Sequence, residues 1–118
     1  MNIEEFREYC IARKGITEEF PFGPEHLVFK VMGKMFALLP LDDVPPRANL
    51  KCAPDRAVEL REEYDGAITA GYHMSKVHWN TLYLQSLPPD LVRQLIDHSY
   101  NLVVNGLTKK LRMELKGL

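Results

Sequence analysis

Cysteine is scarce in this sequence: Cys10 and Cys52 are the only two and form no close-spaced pair. That excludes a disulfide-stapled scaffold and the paired-ligand spacing of a structural zinc site, and it predicts two free, mostly buried thiols in a reducing compartment. No apolar run approaches the ~20 residues of a membrane span. The start, Met1 to Glu5, is acidic where a signal peptide is basic, so a cytoplasmic location is expected. A phosphate-binding loop, a dinucleotide fingerprint and a nucleophile elbow are all missing. No cofactor is therefore expected and no catalytic residue is nominated. Charge is also in short supply, since the net value is −1. A protein that grips nucleic acid by bulk charge alone is more basic than this.

What is present is one domain, residues 1–118, with 46% apolar and 26% charged residues, ordinary values for a globular chain. The charge is uneven. Residues 1–66 carry nine Lys/Arg against thirteen Asp/Glu, whereas residues 67–118 carry six against three. An anionic partner would meet the second half.

Asn2 and Glu5 have capping-box spacing, predicting a helix from the outset to about Lys14, with Ile3, Phe6 and Cys10 on its buried face and Gly15 at its cap. Ile16 to Phe20 reads as a short extended piece. Leu27 to Met32 and Lys34 to Leu39 read as a hairpin across Gly33, with Leu27, Phe29 and Val31 facing opposite to Val28, Lys30 and Met32. Lys30 and Lys34 near its tip read first as edge protection. Pro40 to Pro46 is a loop, Arg47 to Lys51 a short strand, and Pro54 opens a helix to about Tyr64. The Pro88-Pro89-Asp90 step starts a long helix through Val104, and Leu107, Leu111 and Leu115 mark a short amphipathic tail helix with a basic face. Hairpin-linked strands with helices at the start, middle and end imply an α+β domain with an antiparallel sheet.

The stretch Ile68 to Leu84 concentrates the informative residues: two of the four His, the one Trp and two of the five Tyr. A strand, a polar turn and a second strand make a plausible recognition surface, presenting His73, Lys76, His78, Trp79 and Asn80. The five-residue gap between His73 and His78 matches no metal motif, so no metal is expected. The more common fate of a lone Trp near a strand start is the core. Tyr100, on the long helix, is expected half-buried with its hydroxyl tied to a neighbour.

Gly71 to Thr81 (GYHMSKVHWNT) resembles the signature of the MmcQ/YjbR family of small bacterial proteins. Lys14 to Phe22 (KGITEEFPF), Val28 to Leu38 (VFKVMGKMFAL), Asn49 to Cys52 (NLKC) and Leu95 to Val103 (LIDHSYNLV) are similar to other family segments, in the same order. The resemblance implies a CyaY-like α+β fold and a "double wing" likened to the DNA-binding domain of a phage transcription factor. It implies no catalytic residue. Where the family often has a second basic residue, this chain has Val77.

The expected function is a small non-enzymatic binding domain with DNA as its nominated ligand, held weakly and with strong salt dependence. The candidate contacts are Lys76, His78, Trp79 and Asn80, supported by Lys30, Lys34, Lys51 and His73. Lysines would take phosphates, Asn80 a base edge, and Trp79 would stack. The rival expectation is a protein-interaction module, docking through the acidic first half or the basic last helix. Iron binding needs an acidic ridge, and Glu4, Glu5 and Glu8 interrupted by Arg7 form only a thin one.

Overall fold

The computed structural model describes residues 1–118. The chain runs α1 (Ile3–Ile11), β1 (Ile16–Glu19), β2 (His26–Val31), β3 (Lys34–Pro40), β4 (Arg47–Lys51), α2 (Pro54–Glu63), β5 (Ile68–Ala70), β6 (Trp79–Tyr83), α3 (Pro89–Asn105) and α4 (Lys109–Lys116). The strands form one six-stranded sheet in the order β1-β2-β3-β4-β6-β5, and every neighbouring pair is antiparallel. This is the α+β architecture expected from the order of the segments. No helix is long and apolar enough to cross a membrane.

The Asn2–Glu5 capping box forms in both directions, with Glu5 N–H donating to Asn2 Oδ1 at 2.8 Å. It satisfies donors that a first turn otherwise leaves unpaired. The helix ends at Ile11, earlier than the expected Lys14, and its cap is Ala12. Gly15 lies beyond that cap at φ +74°, where it swings the chain into β1. The tip of the first hairpin is Met32-Gly33, both at positive φ (49° and 83°), as a type I′ turn requires. Both ends of that hairpin lie inside the sheet, with β1 outside β2 and β4 outside β3. The edge-protection role expected of Lys30 and Lys34 therefore has no edge to act on. Lys30 instead pairs with Glu19 on the neighbouring strand, Nζ to Oε1 3.1 Å.

One face of the sheet is covered by helices. Leu27, Phe29 and Val31 of β2 point there, as their alternation predicts, and join Ala48, Leu50 and Leu82 from the inner strands. Val92, Leu95, Ile96 and Val103 of α3 and Phe6 and Cys10 of α1 close over them. Phe29 lies between Phe6 and Phe36, with ring centroids 6.3 and 6.5 Å away. Polar groups tie the helices down at defined points. Ser99 Oγ donates to the Phe36 carbonyl (2.5 Å) and accepts from Lys51 N–H (2.9 Å). His98 Nε2 accepts from Ala53 N–H at 3.1 Å. Tyr100 is half-buried and donates its hydroxyl to the Lys14 carbonyl at 2.7 Å, the arrangement expected for it. Tyr9, Arg13 and Asp97 link α1 to α3.

Candidate functional site on the open sheet face

Directly opposed residues in adjacent antiparallel strands share a face, so the register maps the uncovered side. One row crosses all six strands: Glu19, Val28, Leu38, Asn49, Thr81 and Thr69. A second, toward one end, holds Thr17, Lys30 and Met35 on the first three strands and Lys51 beside Trp79 on the inner ones. A third, toward the other end, pairs His26 with Pro40 and Arg47 with Tyr83.

No helix lies on this face. The eight residues between β5 and β6, Gly71 to His78, fold back over part of it instead. Two hydrogen bonds hold the loop to the central row, and a third joins their partners within it. Tyr72 N–H donates to Thr81 Oγ1 (3.0 Å), Thr81 Oγ1 donates to Asn49 Oδ1 (2.5 Å), and Asn49 Nδ2 donates to the Tyr72 carbonyl (3.2 Å). Gly71 sits so close to β6 that a Cβ there would lie 2.7 Å from Trp79 Cβ. The Arg47 guanidinium packs 4.3 Å from the centre of the Tyr72 ring, and the His73 ring lies 4.0 Å from the same centre. Arg47 Nε donates to Asp43 Oδ2 at 2.6 Å, and Asp43, with the Tyr83 hydroxyl, raises the guanidinium pKa further above its already high value.

Between this loop and the Phe20–Pro24 turn lies a cleft of about 530 Å³, within the size range of ligand pockets. Leu38, Arg47 and Asn49 form its floor. Tyr72, His73 and Met74 stand on one side, and Phe22 and His26 on the other. His26 Nδ1 is buried without a hydrogen-bond partner.

The eight residues singled out in the sequence separate into groups. Lys34, Lys76, His78 and His73 are exposed, and Lys51 is half-buried on the open face. Lys30, Lys34, Lys51, Lys76 and His78 belong to the same end of the sheet, by register or by adjacency to it. Lys34, Lys51 and Lys76 form no ion pair, whereas Lys30 is engaged by Glu19.

Two of the eight do not fit a contact role. Trp79 is 8% exposed, because Gly71 and the loop lie against it. Asn80 is 2% exposed and points to the opposite, helix-covered face, since its partner there is Leu50. Its carboxamide accepts from Arg61 Nε (2.7 Å) and donates to the Ala57 carbonyl (3.3 Å). Arg61 also donates to the Lys76 carbonyl, so Asn80 and Arg61 brace the loop from beneath. Phe22, Arg47, Asn49 and Tyr72, which line the cleft, were not singled out from the sequence. One signal was available: in Arg47-Ala-Asn-Leu-Lys51, alternation puts Arg47, Asn49 and Lys51 on one face, and an Asn in mid-strand needs a partner.

Both thiols are buried. Burial pushes the Cys10 pKa far up and the Cys52 pKa up as well, so neither is a thiolate at neutral pH.

A small α+β domain with one closed and one open sheet face, the latter half-roofed by a single loop, is the class these observations define. Residues 11–102 match the YjbR family model, and the chain belongs to the YjbR family. It is 42% identical to YbdF of Escherichia coli O157:H7 over 92 residues, 77% of this chain and 75% of that one. It is 32% identical to YjbR of Escherichia coli K12 over 113 residues, 95% of each chain. Among solved structures, the Deinococcus radiodurans protein DR2400, which carries a DUF419 domain, superposes with a TM-score of 0.91 at 38% identity, covering 98% of this chain and 88% of that one. A Pseudomonas syringae protein superposes with a TM-score of 0.75 at 28% identity, covering 86% and 98%.

Proposed function

We propose that this protein is a small non-enzymatic binding domain that contacts DNA through one end of its sheet. The observation that carries this is the gathering of Lys34, Lys51 and Lys76, none of them ion-paired, at the end where β3 starts, β4 finishes and β6 starts. His78 stands beside them, and Lys30 adds its charge when Glu19 lets go. The contact set is revised accordingly: Lys34, Lys51, Lys76 and His78 take phosphates, while Trp79 and Asn80 hold the scaffold that presents them. Three lysine–phosphate contacts amount to weak binding in a chain of net charge −1.

The test is fluorescence anisotropy of a labelled random duplex at about 50 and 200 mM salt. Releasing about three counterions predicts a fall in affinity of roughly 40-fold between the two. Each of Lys34→Ala, Lys51→Ala and Lys76→Ala should lower the logarithmic salt slope by about one. Absence of binding at the lower salt, or variants that bind like the parent, would end the DNA reading.

A second reading, docking to another protein, has its own observation. On α4, Lys109, Lys110, Arg112 and Met113 are all exposed, with Met113 63% accessible, and this helix lies outside the 11–102 family match. Capture of an acidic partner through α4 would survive triple substitution of Lys34, Lys51 and Lys76, whereas DNA binding would not.

A further inference from the structure

The cleft opens toward the end of the sheet away from the lysines, where His26, Pro40 and Arg47 lie, and its chemistry differs from theirs. We infer that it receives an unpaired base of single-stranded nucleic acid, whose backbone runs on to the lysines at the other end of the sheet. The inference rests on the nucleic-acid reading above and adds which form of the polymer is bound and where its base goes.

Charge is the first argument. Arg47 is already paired with Asp43, so the cleft is close to neutral and suits an uncharged planar group better than a phosphate. The phosphates have their cations further along, at Lys51, four residues or about 13 Å from Arg47 on β4, and beyond it at Lys34 and Lys76. This division between a cationic track and an uncharged stacking pocket is how sequence-tolerant single-strand binders are built.

The walls supply the stacking surface. Phe22 is 62% and Tyr72 52% exposed, and neither belongs to the hydrophobic core. Tyr72 is held in place by the Arg47 guanidinium below it and by the His73 ring, which leans against it at 52°. Every base has a π-face, so stacking on an aromatic side chain favours any base over an abasic site. Phe22 on the opposite side completes a slot with an aromatic group on each flank.

The floor supplies donors and acceptors. A carboxamide has two N–H groups and two lone pairs, and Asn49 uses one of each on Tyr72 and Thr81. Arg47 has five N–H donors, of which Asp43 takes one. His26 also lines the cleft. Together they match the edge of a base that is not paired to another. A duplex keeps its bases stacked and paired, so it can reach the lysines but cannot fill the cleft.

The experiment compares three labelled probes at about 50 mM salt: a thymidine strand of about ten nucleotides, an abasic strand with the same phosphates, and a duplex. The thymidine strand should bind about tenfold more tightly than the abasic one. Phe22→Ala should erase most of that difference and leave duplex and abasic binding unchanged. Phe22→Leu, which keeps the bulk without the π-face, should behave like Phe22→Ala. Amide shifts at Leu38, Asn49 and His73 should move with the thymidine strand and not with the abasic one. Equal affinities for thymidine and abasic strands, both steeply salt-dependent, would overturn the base pocket while leaving the lysine contacts standing. No binding of any probe would remove the nucleic-acid reading and this inference together.

Discussion

The two faces of the sheet are built from the same strands and are buried by different means. The helix-covered face is closed by apolar side chains from α1, α2 and α3, with Phe29, Leu50 and Ile96 each at most 1% exposed. The open face is closed only in its centre, by an eight-residue loop held through the Asn49–Thr81–Tyr72 hydrogen bonds. Apolar closure is strong and indifferent to direction, since it scales with area. Closure by a few buried polar groups is directional and fails when one partner is lost. The same contrast divides the two hairpins. A two-residue turn joins β2 to β3, whose pairing is interrupted by one bulge at Phe36, while the β5–β6 connection serves as a clasp over the site. The difference places stability on one face and leaves the other free to present chemistry.

The largest effect should come from opening the closed face. Phe29→Ala removes a fully buried ring between Phe6 and Phe36 and should cost about 3–5 kcal/mol in urea unfolding, close to the whole stability of a small domain. Asn49→Ala acts on the open face and should cost about 2 kcal/mol, because the Tyr72 carbonyl loses its donor and Thr81 its acceptor. The comparison sharpens in hydrogen exchange. Phe29→Ala should speed exchange throughout the sheet, whereas Asn49→Ala should speed it chiefly from Gly71 to His78. Global loosening by Asn49→Ala would mean that the loop is part of the core and not a clasp.

How legible each face was follows from the same physics. The closed face could be read almost residue by residue: period-2 alternation in Leu27–Val31, the Asn2–Glu5 box and the α3 stripe are local patterns, and local patterns survive into the fold. The basic residues were legible as residue types, and the register later brought Lys34, Lys51 and Lys76 to one end. Trp79 and Asn80 were misassigned as contacts because exposure there is decided at a distance. The alternation that assigns Trp79 to the open face is local, but the loop that covers it folds back from eight residues upstream. Asn80 lies one residue further along and therefore faces the helices, where Arg61 and the Ala57 carbonyl occupy it. The cleft was not legible at all, since Phe22, Arg47 and Tyr72 come together only through the strand order.

Two glycines separate the hairpins at intermediate cost. At Gly33 a Cβ meets nothing within 4 Å, and the only obstacle is φ +83°. Gly33→Ala should therefore lose about 1 kcal/mol, the strain of a left-handed alanine. At Gly71 a Cβ would lie 2.7 Å from Trp79 Cβ and 3.0 Å from the Trp79 carbonyl oxygen. Neither atom is the end of a flexible chain, so the loop must lift, at about 1–3 kcal/mol. Gly71→Ala should raise Trp79 fluorescence quenching by acrylamide and Gly33→Ala should not. Unchanged quenching in Gly71→Ala would show that Trp79 is covered by something other than the pinned loop.

The smallest effect is a dependence on pH carried by the closed face. His98 Nε2 accepts a hydrogen bond from Ala53 N–H at the start of α2, which only the neutral ring can do. Burial, aided by the nearby Arg56 charge, lowers its pKa below 6.5. An unfolded chain titrates this ring near 6.5. Between that value and the lower folded one, the unfolded state therefore binds more protons than the native state, and stability falls as the pH falls. The contribution of His98 is complete above about pH 6.5 and is lost as the pH drops through the folded pKa. His98→Gln keeps an acceptor for Ala53 without a titrating ring. Its Tm should track the parent above neutrality and decline less as the pH falls below about 6.5. Parallel curves for parent and variant below that pH would take His98 out of the account and move the acid sensitivity to other groups.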